Sequence, residues 1–580
     1  MFKLFKEARL SKMKIFLLLL FITLQMAGTL FLPTLTANII NDGVMMENMD
    51  YVVSTGALML GVAVATGIFS ILSTYFSAEV ATRFAKNVRD KLFDQTQKLS
   101  HQDFKKFSTS SLITRATNDI EQLQTTLSMF FEMMIPAPFV IVIGLALAFS
   151  RDGYMALIII ISTFLLAIVF SLVVKKIFPL FVKTQEGLDK INSTVGQYLS
   201  GIRVVRAFNR TKVDQERMDD SFLEFAQVNI KINRLFAVML PLVMLLMSLA
   251  VVAIIWFGAH RIDSGNLEIG DIMAIIEYAM NILAYVLMAV FSAIYLPRAK
   301  VCSNRILEIM DYKPEITDGT SNFNTRSDLS LEFKNVSFYY EDAEKPVLQN
   351  LNFRCEKGTT TAIIGGTGSG KSTVAKLIPR LLDASGGQIM ISGTNIKDVS
   401  QDELRARIGF VPQKAFLFSG TIADNLRHGN PKATLRDMRV AANIAQAENF
   451  VNELPDKYEG VVVQGGKNFS GGQRQRLAIS RMLMKKPDIY VFDDSFSALD
   501  FKTDAKLRAA LKGVTKEAIM INIAQRITTI KEADQIIVLD EGKMVGIGKH
   551  RELLENCDLY LEIAESQLSE EELADELREQ

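Results

Sequence analysis

Eight consecutive residues have the composition of a phosphate cradle: Gly365, Gly366, Thr367, Gly368, Ser369, Gly370, Lys371 and Ser372. Glycines let backbone N–H groups close on phosphate oxygens with no Cβ in the way. Lys371 supplies a point charge for terminal phosphates, and the Ser372 hydroxyl can ligate Mg2+. The pattern GxxxxGK[ST] is informative only between a strand and a helix. Here an apolar run of strand type, Thr361 to Ile364, leads in, and Val374 to Leu382 leads out with helical periodicity.

A second strand, Ile489 to Phe492, ends in Asp493 and Asp494. An aspartate at the end of a buried strand beside such a loop can hold the hydration shell of Mg2+. The nearby Ser497-Ala498-Leu499-Asp500 reads equally well as a helix-starting turn. Between the two strands lies Asn468-Phe469-Ser470-Gly471-Gly472-Gln473, ahead of a basic helix. Serine and glycine N–H groups at a helix N-terminus form a second anion site. A chain that already has its own phosphate loop needs another nucleotide for this site to serve.

The elements that position these residues form only half of the sequence. At 580 residues the chain is too long for one core, and its apolar excess lies before residue 300. A hydrocarbon layer of roughly 30 Å needs about 20 apolar helical residues. Six stretches qualify: 15–38, 53–77, 128–149, 154–174, 236–258 and 272–296. Pro33, Pro136, Pro138 and Pro241 predict kinks or broken turns within or at the edges of these spans. Residues 42–51 carry no Lys or Arg, whereas 80–120 and 175–235 are basic. The positive-inside rule places both long connections and both chain ends in the cytoplasm. Val88, Leu92, Leu99 and Phe104 recur at helical spacing in the first connection, so the spans extend as helices that should dock on a cytoplasmic domain. At the start, Leu4 and Phe5 among Lys3, Lys6 and Arg9 suit a short helix at the membrane surface, or a frayed basic terminus.

Polar residues within the spans are few, and Gln25, Asn38, Glu277 and Asn281 are the notable ones. An intramembrane carboxylate usually faces a cavity or a partner, which makes Glu277 the candidate substrate contact. The Met- and Phe-rich spans suit apolar ligands of varied shape, and equally suit lipid. A charge balance of 64 basic to 64 acidic residues argues against a nucleic-acid partner. Three scattered cysteines give no disulfide framework or zinc site. The expected fold is therefore multi-domain: an all-α six-helix membrane domain (1–310), a polar linker (311–328), an α/β nucleotide-binding domain (329–565) and an acidic, solvated C-terminal tail (566–580).

The order of motifs now becomes specific. The glycine loop, Gln413 after Phe410-Val411-Pro412, Ser470-Gly471-Gly472-Gln473, Asp493 and the Ser497–Asp500 tetrad follow one another as in the ATP-binding cassette (ABC) superfamily. With six spans fused ahead of them, the chain resembles the type IV ABC exporters, the multidrug-exporter-like half-transporters. Val204-Val205-Arg206-Ala207-Phe208 in the second connection also matches that family's pattern. The resemblance implies that Tyr340 stacks on adenine and that Gly365 through Thr373 bind phosphates. Ser372, Gln413 and Asp493 would attend Mg2+, the last through water. Ser470 to Gln473 would cap the nucleotide of a second cassette. Segments 100–112 and 203–216 would be coupling helices.

Two departures from the family pattern concern catalysis. The family's general base is a glutamate where this chain has Asp494, one methylene shorter. Its switch histidine is here Gln525, in Ala524-Gln525-Arg526. Glutamine can hydrogen-bond a γ-phosphate but cannot carry an imidazolium charge. Val463-Gln464-Gly465-Gly466 and Gln197 also lack glutamates usual in the family. The expectation is a heterodimer in a bacterial plasma membrane. This chain would hold ATP in a weak site and complete the strong site of a second half-transporter that has glutamate and histidine. The cargo would be amphiphilic drugs or lipids, taken from the cytoplasm or the inner leaflet. An ATP-gated channel or receptor and a peptide exporter are the alternative readings.

Overall fold

The computed structural model describes residues 2–323, 328–340, 343–571 and 573. The chain divides into two compact units. One comprises Met1–Gln97 with Ser108–Tyr312, the other Lys98–Phe107 with Lys313–Gln580.

In the first unit, six helical segments among the described residues are long and apolar enough to cross a membrane: Lys12–Val44, Met49–Gln97, Thr109–Arg151, Gly153–Ser200, Thr211–Asp263 and Ile269–Met310. Each contains one of the expected stretches. Helix is the natural solution because it satisfies every backbone group within the segment. The fifth segment, of 53 residues, measures about 80 Å at 1.5 Å per residue, far more than a bilayer needs. The apolar stretch and its charged continuation are thus one element. Pro33 and Pro241 lie inside continuous helices. Pro136 and Pro138 occupy the first turn of the helix Pro136–Arg151, where N–H groups have no helical partner. A wider π-turn, Phe130–Met134, lies just before it, and another, Ile39–Val44, follows the helix that contains Pro33. Close approach is permitted by small residues. At Gly258 a Cβ would lie 2.7 Å from the Ile272 side chain.

The N-terminal helix Phe2–Glu7 packs on protein. Leu4 is fully buried, the Phe5 ring lies 5.0 Å from that of Phe84, and Lys91 pairs with Glu7.

The second unit is built on a six-stranded sheet. Its order is Lys543–Gly548, Gln535–Asp540, Thr360–Gly365, Ile519–Ile523, Ile489–Asp493 and Ile408–Val411, parallel throughout except for the first strand. The parallel strands are buried on both faces, which explains their continuous apolar character. Val374, Leu377 and Ile378 press the helix that begins at Lys371 onto Ile363, Val491 and Ile521. Each such aliphatic burial is worth about 1.5–3 kcal/mol. An antiparallel sheet, Leu348–Glu356, Ser330–Phe338, Gly386–Ile391 and Thr394–Asn395, completes this part. A separate helical cluster around Leu477, Phe450 and Met438 carries the segment beginning at Ser470.

Two sequence expectations need amending. The polar stretch from Asp311 is not a free linker where it is described. Ile316 and Phe323 are buried, Ser321 forms a bridge with Val399, and the Gln401 N–H donates to Asp318. Residues 324–327 lie outside the described residues. Nor is the start of the acidic tail a solvated helix. The preceding helix Asp558–Glu565, part of the expected domain, buries Tyr560 and Ala564, and at the start of the tail Leu568 packs on the same cluster while Gln567 bonds to Gln525 and Ile527. Residues 574–580 lie outside the described residues.

Near the short connections of the first unit, a polar network ties the helices together. Arg151 pairs with Asp271 at 2.9 Å and donates to Asn38 at 2.8 Å, while Arg261 pairs with Asp152 at 2.6 Å. Asp271 also closes a capping box with Glu268. Removing one partner of such a part-buried pair strands the other. Asp271→Ala should therefore destabilise the protein by about 1–3 kcal/mol, and Arg151→Ala should add little on top of it. Thermal unfolding of the single and double variants measures this coupling, and additive losses would contradict the network.

Candidate functional site

Four parallel strands deliver their C-terminal ends to one edge of the six-stranded sheet. Thr360–Gly365 leads into the glycine loop and Ile489–Asp493 into Asp494. Ile519–Ile523 leads into Ala524 and Gln525, and Ile408–Val411 into Pro412 and Gln413. Ile523 stands in register with both Ile363 and Asp493. Residues more than a hundred positions apart thereby meet, at the edge where open α/β sheets bind ligands.

The loop is shaped for an anion. Gly365, Gly368 and Gly370 have φ of 155°, 85° and 96°. A Cβ at Gly365 would collide with the Leu539 carbonyl oxygen, and one at Gly370 would lie 2.5 Å from Leu348. At Gly366 and Gly368 nothing stands within 4 Å, so the inside of the loop is open to a ligand. Gly366, Thr367 and Gly368 are exposed, while Ser369 and Thr373 are buried. The Lys371 ammonium donates to the carbonyl oxygens of Gly365 (2.8 Å) and Gly366 (2.6 Å) and to the Ser369 hydroxyl (3.3 Å). Burial lowers the pKa of Lys371, against the pull of Asp494 and Asp493.

The Ser372 hydroxyl donates to Asp493 at 2.8 Å. The hydroxyl and the carboxylate expected to attend a metal are thus in direct contact. Burial raises the Asp493 pKa, with the Ser372 hydrogen bond opposing it. Two oxygen donors beside an open phosphate loop fit Mg2+, a hard cation that takes few protein ligands and shares phosphate oxygens. Asp494, at φ 51°, is buried. Its Oδ2 accepts from the side-chain amides of Gln413 (3.1 Å) and Gln525 (3.0 Å). The three residues with expected catalytic roles therefore form one hydrogen-bonded group.

Ser470 caps the helix Gly471–Leu483 through a reciprocal box with Gln473, with bonds of 2.9 and 3.2 Å. Ser470 and Gly471 are exposed, and nothing lies within 4 Å of a Cβ at Gly471. Gly472, by contrast, lies against the Ala498 carbonyl. Asp500 is the N-cap of Phe501–Val514, the bland reading of that tetrad. Tyr340 is half-buried, edge-on to Phe338, with Lys105 5.4 Å above its ring. Lys105 belongs to helix His101–Phe107, which clusters with this unit. Burial, with Lys376 and Lys105 nearby, holds His101 below the usual imidazole range. The first connection thus contributes to the nucleotide-binding unit. The second differs: helix Ile202–Ala207 has no buried residue, and Val204 and Phe208 are 61% and 74% exposed.

In the helical unit, Ile22, Gln25, Ser73, Ser77, Glu132 and Met288 help to line a cavity of about 250 Å3. Gln25 accepts from Ser73 at 2.8 Å, and Ser77 donates to Glu132 at 3.2 Å. Glu277 is exposed and does not line this cavity. Among the described residues the carboxylate there is Glu132, which sequence reading passed over. The signal that could have found it is an acidic residue four positions before Pro136, at the start of an apolar stretch. Asn38 lies in the Arg151 network, and Asn281 donates to the Glu277 carbonyl at 2.8 Å.

Comparison with known proteins agrees with this arrangement. The family described as "ABC transporter transmembrane region" matches residues 15–289, and that described as "ABC transporter" matches 348–497. An uncharacterized ABC transporter ATP-binding protein of Mycobacterium tuberculosis is 38% identical over 559 residues, covering 94% of each chain. The ABC transporter ATP-binding protein YfiB of Bacillus subtilis is 36% identical, covering 94% of this chain and 95% of that one. A bacterial Atm1-family ABC exporter with ATP bound shares the fold, with a TM-score of 0.81 over 96% of this chain and 99% of that chain at 24% identity. The chain therefore belongs to the ABC transporter family, as a half-transporter whose membrane helices and ATP-hydrolysing domain share one polypeptide and whose ATPase is coupled to transport.

Proposed function

We propose that this half-transporter exports amphiphilic compounds as one subunit of a heterodimer, binding ATP in its own loop and hydrolysing it there only slowly. The observation that carries the reading is the Asp494 group. A general base must reach a water in line with the γ-phosphate. Asp494 is one methylene short of the family's glutamate, and its Oδ2 is already engaged by both Gln413 and Gln525. Loss of a positioned base costs about 10²–10⁴-fold in rate.

The parts that hold nucleotide are complete. Tyr340 offers a ring to adenine, and the open backbone of Gly366 to Gly370 receives the phosphates. Lys371 would exchange its bonds to loop carbonyls for phosphate oxygens. Ser372 and Asp493 would hold Mg2+, which when bound bridges phosphates and neutralises their charge. Gln413 and Gln525 reach the γ-phosphate side from two strands. Ser470 and Gly471 are exposed at the start of their helix, where the N–H groups of Gly471 and Gly472 belong to a first turn without helical acceptors, which suits a nucleotide held by a second cassette. The bare helix Ile202–Ala207 likewise suits a surface on that second subunit. Export as the direction is supported by a relative in Rickettsia typhi, 29% identical over 98% of this chain and termed a putative export ATP-binding/permease protein. On this reading both termini and the ATP-binding unit are cytoplasmic.

The cavity supports the cargo class. Met288, Ile22 and neighbouring apolar groups would take a hydrocarbon body, and Glu132 with Gln25 and the two serines would take a polar or cationic head.

Purified alone, the chain should turn ATP over feebly, and a partner bearing glutamate and histidine should raise turnover at least about 100-fold. In that pair Gly471→Asp in this chain should abolish most of the gain, since a carboxylate would face the partner's γ-phosphate. Brisk activity alone, or indifference to Gly471→Asp, would contradict the assembly. Glu132→Gln should weaken transport-linked stimulation of the ATPase by cationic amphiphiles roughly 10-fold or more, the worth of one charge-assisted contact, and spare neutral ones. Equal effects on both classes would remove Glu132 from head-group recognition.

A further inference from the structure

Beyond the helix Asp558–Glu565 the chain makes one tight turn. Gln567 and Leu568 N–H groups return to the Ala564 carbonyl, at 3.0 and 2.8 Å, and Leu568 packs on the cluster containing Ile527, Ile530 and Tyr560. The turn presents the Gln567 side chain to the segment that follows strand Ile519–Ile523. Its Nε2 donates to the Gln525 carbonyl oxygen at 2.8 Å, and its Oε1 accepts from the Ile527 N–H at 2.9 Å. One amide thus grips both flanks of Arg526.

These two contacts satisfy groups with few alternatives. Ile527 opens the helix Ile527–Ile530, and its N–H is one of those a first turn leaves without a helical acceptor. Arg526, at the N-cap position, makes no side-chain cap. Gln567 supplies that cap from 40 positions away. Fixing the carbonyl before Arg526 and the N–H after it sets the backbone direction at Gln525. From there the Gln525 amide reaches Asp494 Oδ2 at 3.0 Å, and Gln413 meets the same oxygen at 3.1 Å.

We propose that Gln567 is a positioning residue for the ATP site, holding the switch residue Gln525 against Asp494 so that the C-terminal turn governs how firmly the bound nucleotide is enclosed. The proposal rests on the reading that this chain's own loop holds ATP. A side chain 42 positions downstream of Gln525 becomes part of the site's outer support. Any partner or modification that lifts the turn would release the switch.

The test uses the full-length chain in its assembled transporter, in nanodiscs, with 8-azido-ATP as probe. Photolabelling after a timed chase gives the dwell time of nucleotide on this subunit, which a gel separates from its partner. Gln567→Ala and Gln567→Met, the latter close to glutamine in volume but without its hydrogen bonds, should each shorten the dwell time about 5-fold, the effect of losing one net hydrogen bond. Gln525→Ala should shorten it similarly, and Gln567→Met should add nothing in the Gln525→Ala background. A merely structural role would lower the unfolding temperature and leave the two effects additive. Additive effects, or unchanged dwell in both Gln567 variants, would overturn the proposal. Failure of the unaltered subunit to take up label at all would overturn the ATP-holding reading on which it rests.

Discussion

The Asp494 carboxylate is held from two sides by amides that arrive on different strands, Gln413 at 3.1 Å and Gln525 at 3.0 Å. This shared acceptor joins the loop that follows Val411 to the loop that follows Ile523, with the Asp493–Asp494 strand end between them. Parallel pairing brings the three loops to one edge, and the buried apolar strands keep them there. Next to it, Ser372 meets Asp493 and Lys371 lies folded on its own loop. A nucleotide entering this site would trade protein–protein hydrogen bonds for bonds to phosphate. It would not need to order a disordered loop, so loop ordering adds little to the cost of binding.

Other contacts bring distant parts of the chain to this unit. Gln567 fixes the backbone around Gln525, and Tyr340 lies beneath Lys105 of the helix His101–Phe107. The nucleotide-binding unit thus incorporates a segment that interrupts the membrane helices and another from the end of the chain. In the second connection, helix Ile202–Ala207 has no buried residue. On the proposed reading, this exposed helix and the exposed Ser470–Gln473 cap would both meet a second subunit.

Much of this was legible in the sequence where function depends on contiguous residues. The glycine loop, Asp493 and the Ser470 cap are short motifs whose flanking strand and helix patterns are also local. The six spans follow from hydropathy, because lipid demands a continuous helical segment. The cavity carboxylate was less accessible. Helix Ile269–Ala293 is apolar on most of its circumference, so hydropathy did not fix which face Glu277 presents. Glu132 sits in a π-turn ahead of Pro136, where helical periodicity is locally lost. Gln567 was hidden for another reason. Its partners are brought to it by long-range packing of Tyr560 and Leu568, and an acidic terminal stretch carries no local sign of that.

If this ATP site is slow, as proposed, Asp494 and Gln525 are the residues that make it so. The direct measurement is ATP turnover of the chain alone, in nanodiscs, with Asp494→Glu and Gln525→His introduced together. Supplying the longer carboxylate and the imidazole should raise turnover by about 100-fold, within the range a positioned general base provides, while ATP binding changes little. Turnover that stays at the level of the unaltered chain, with ATP still bound, would contradict the account.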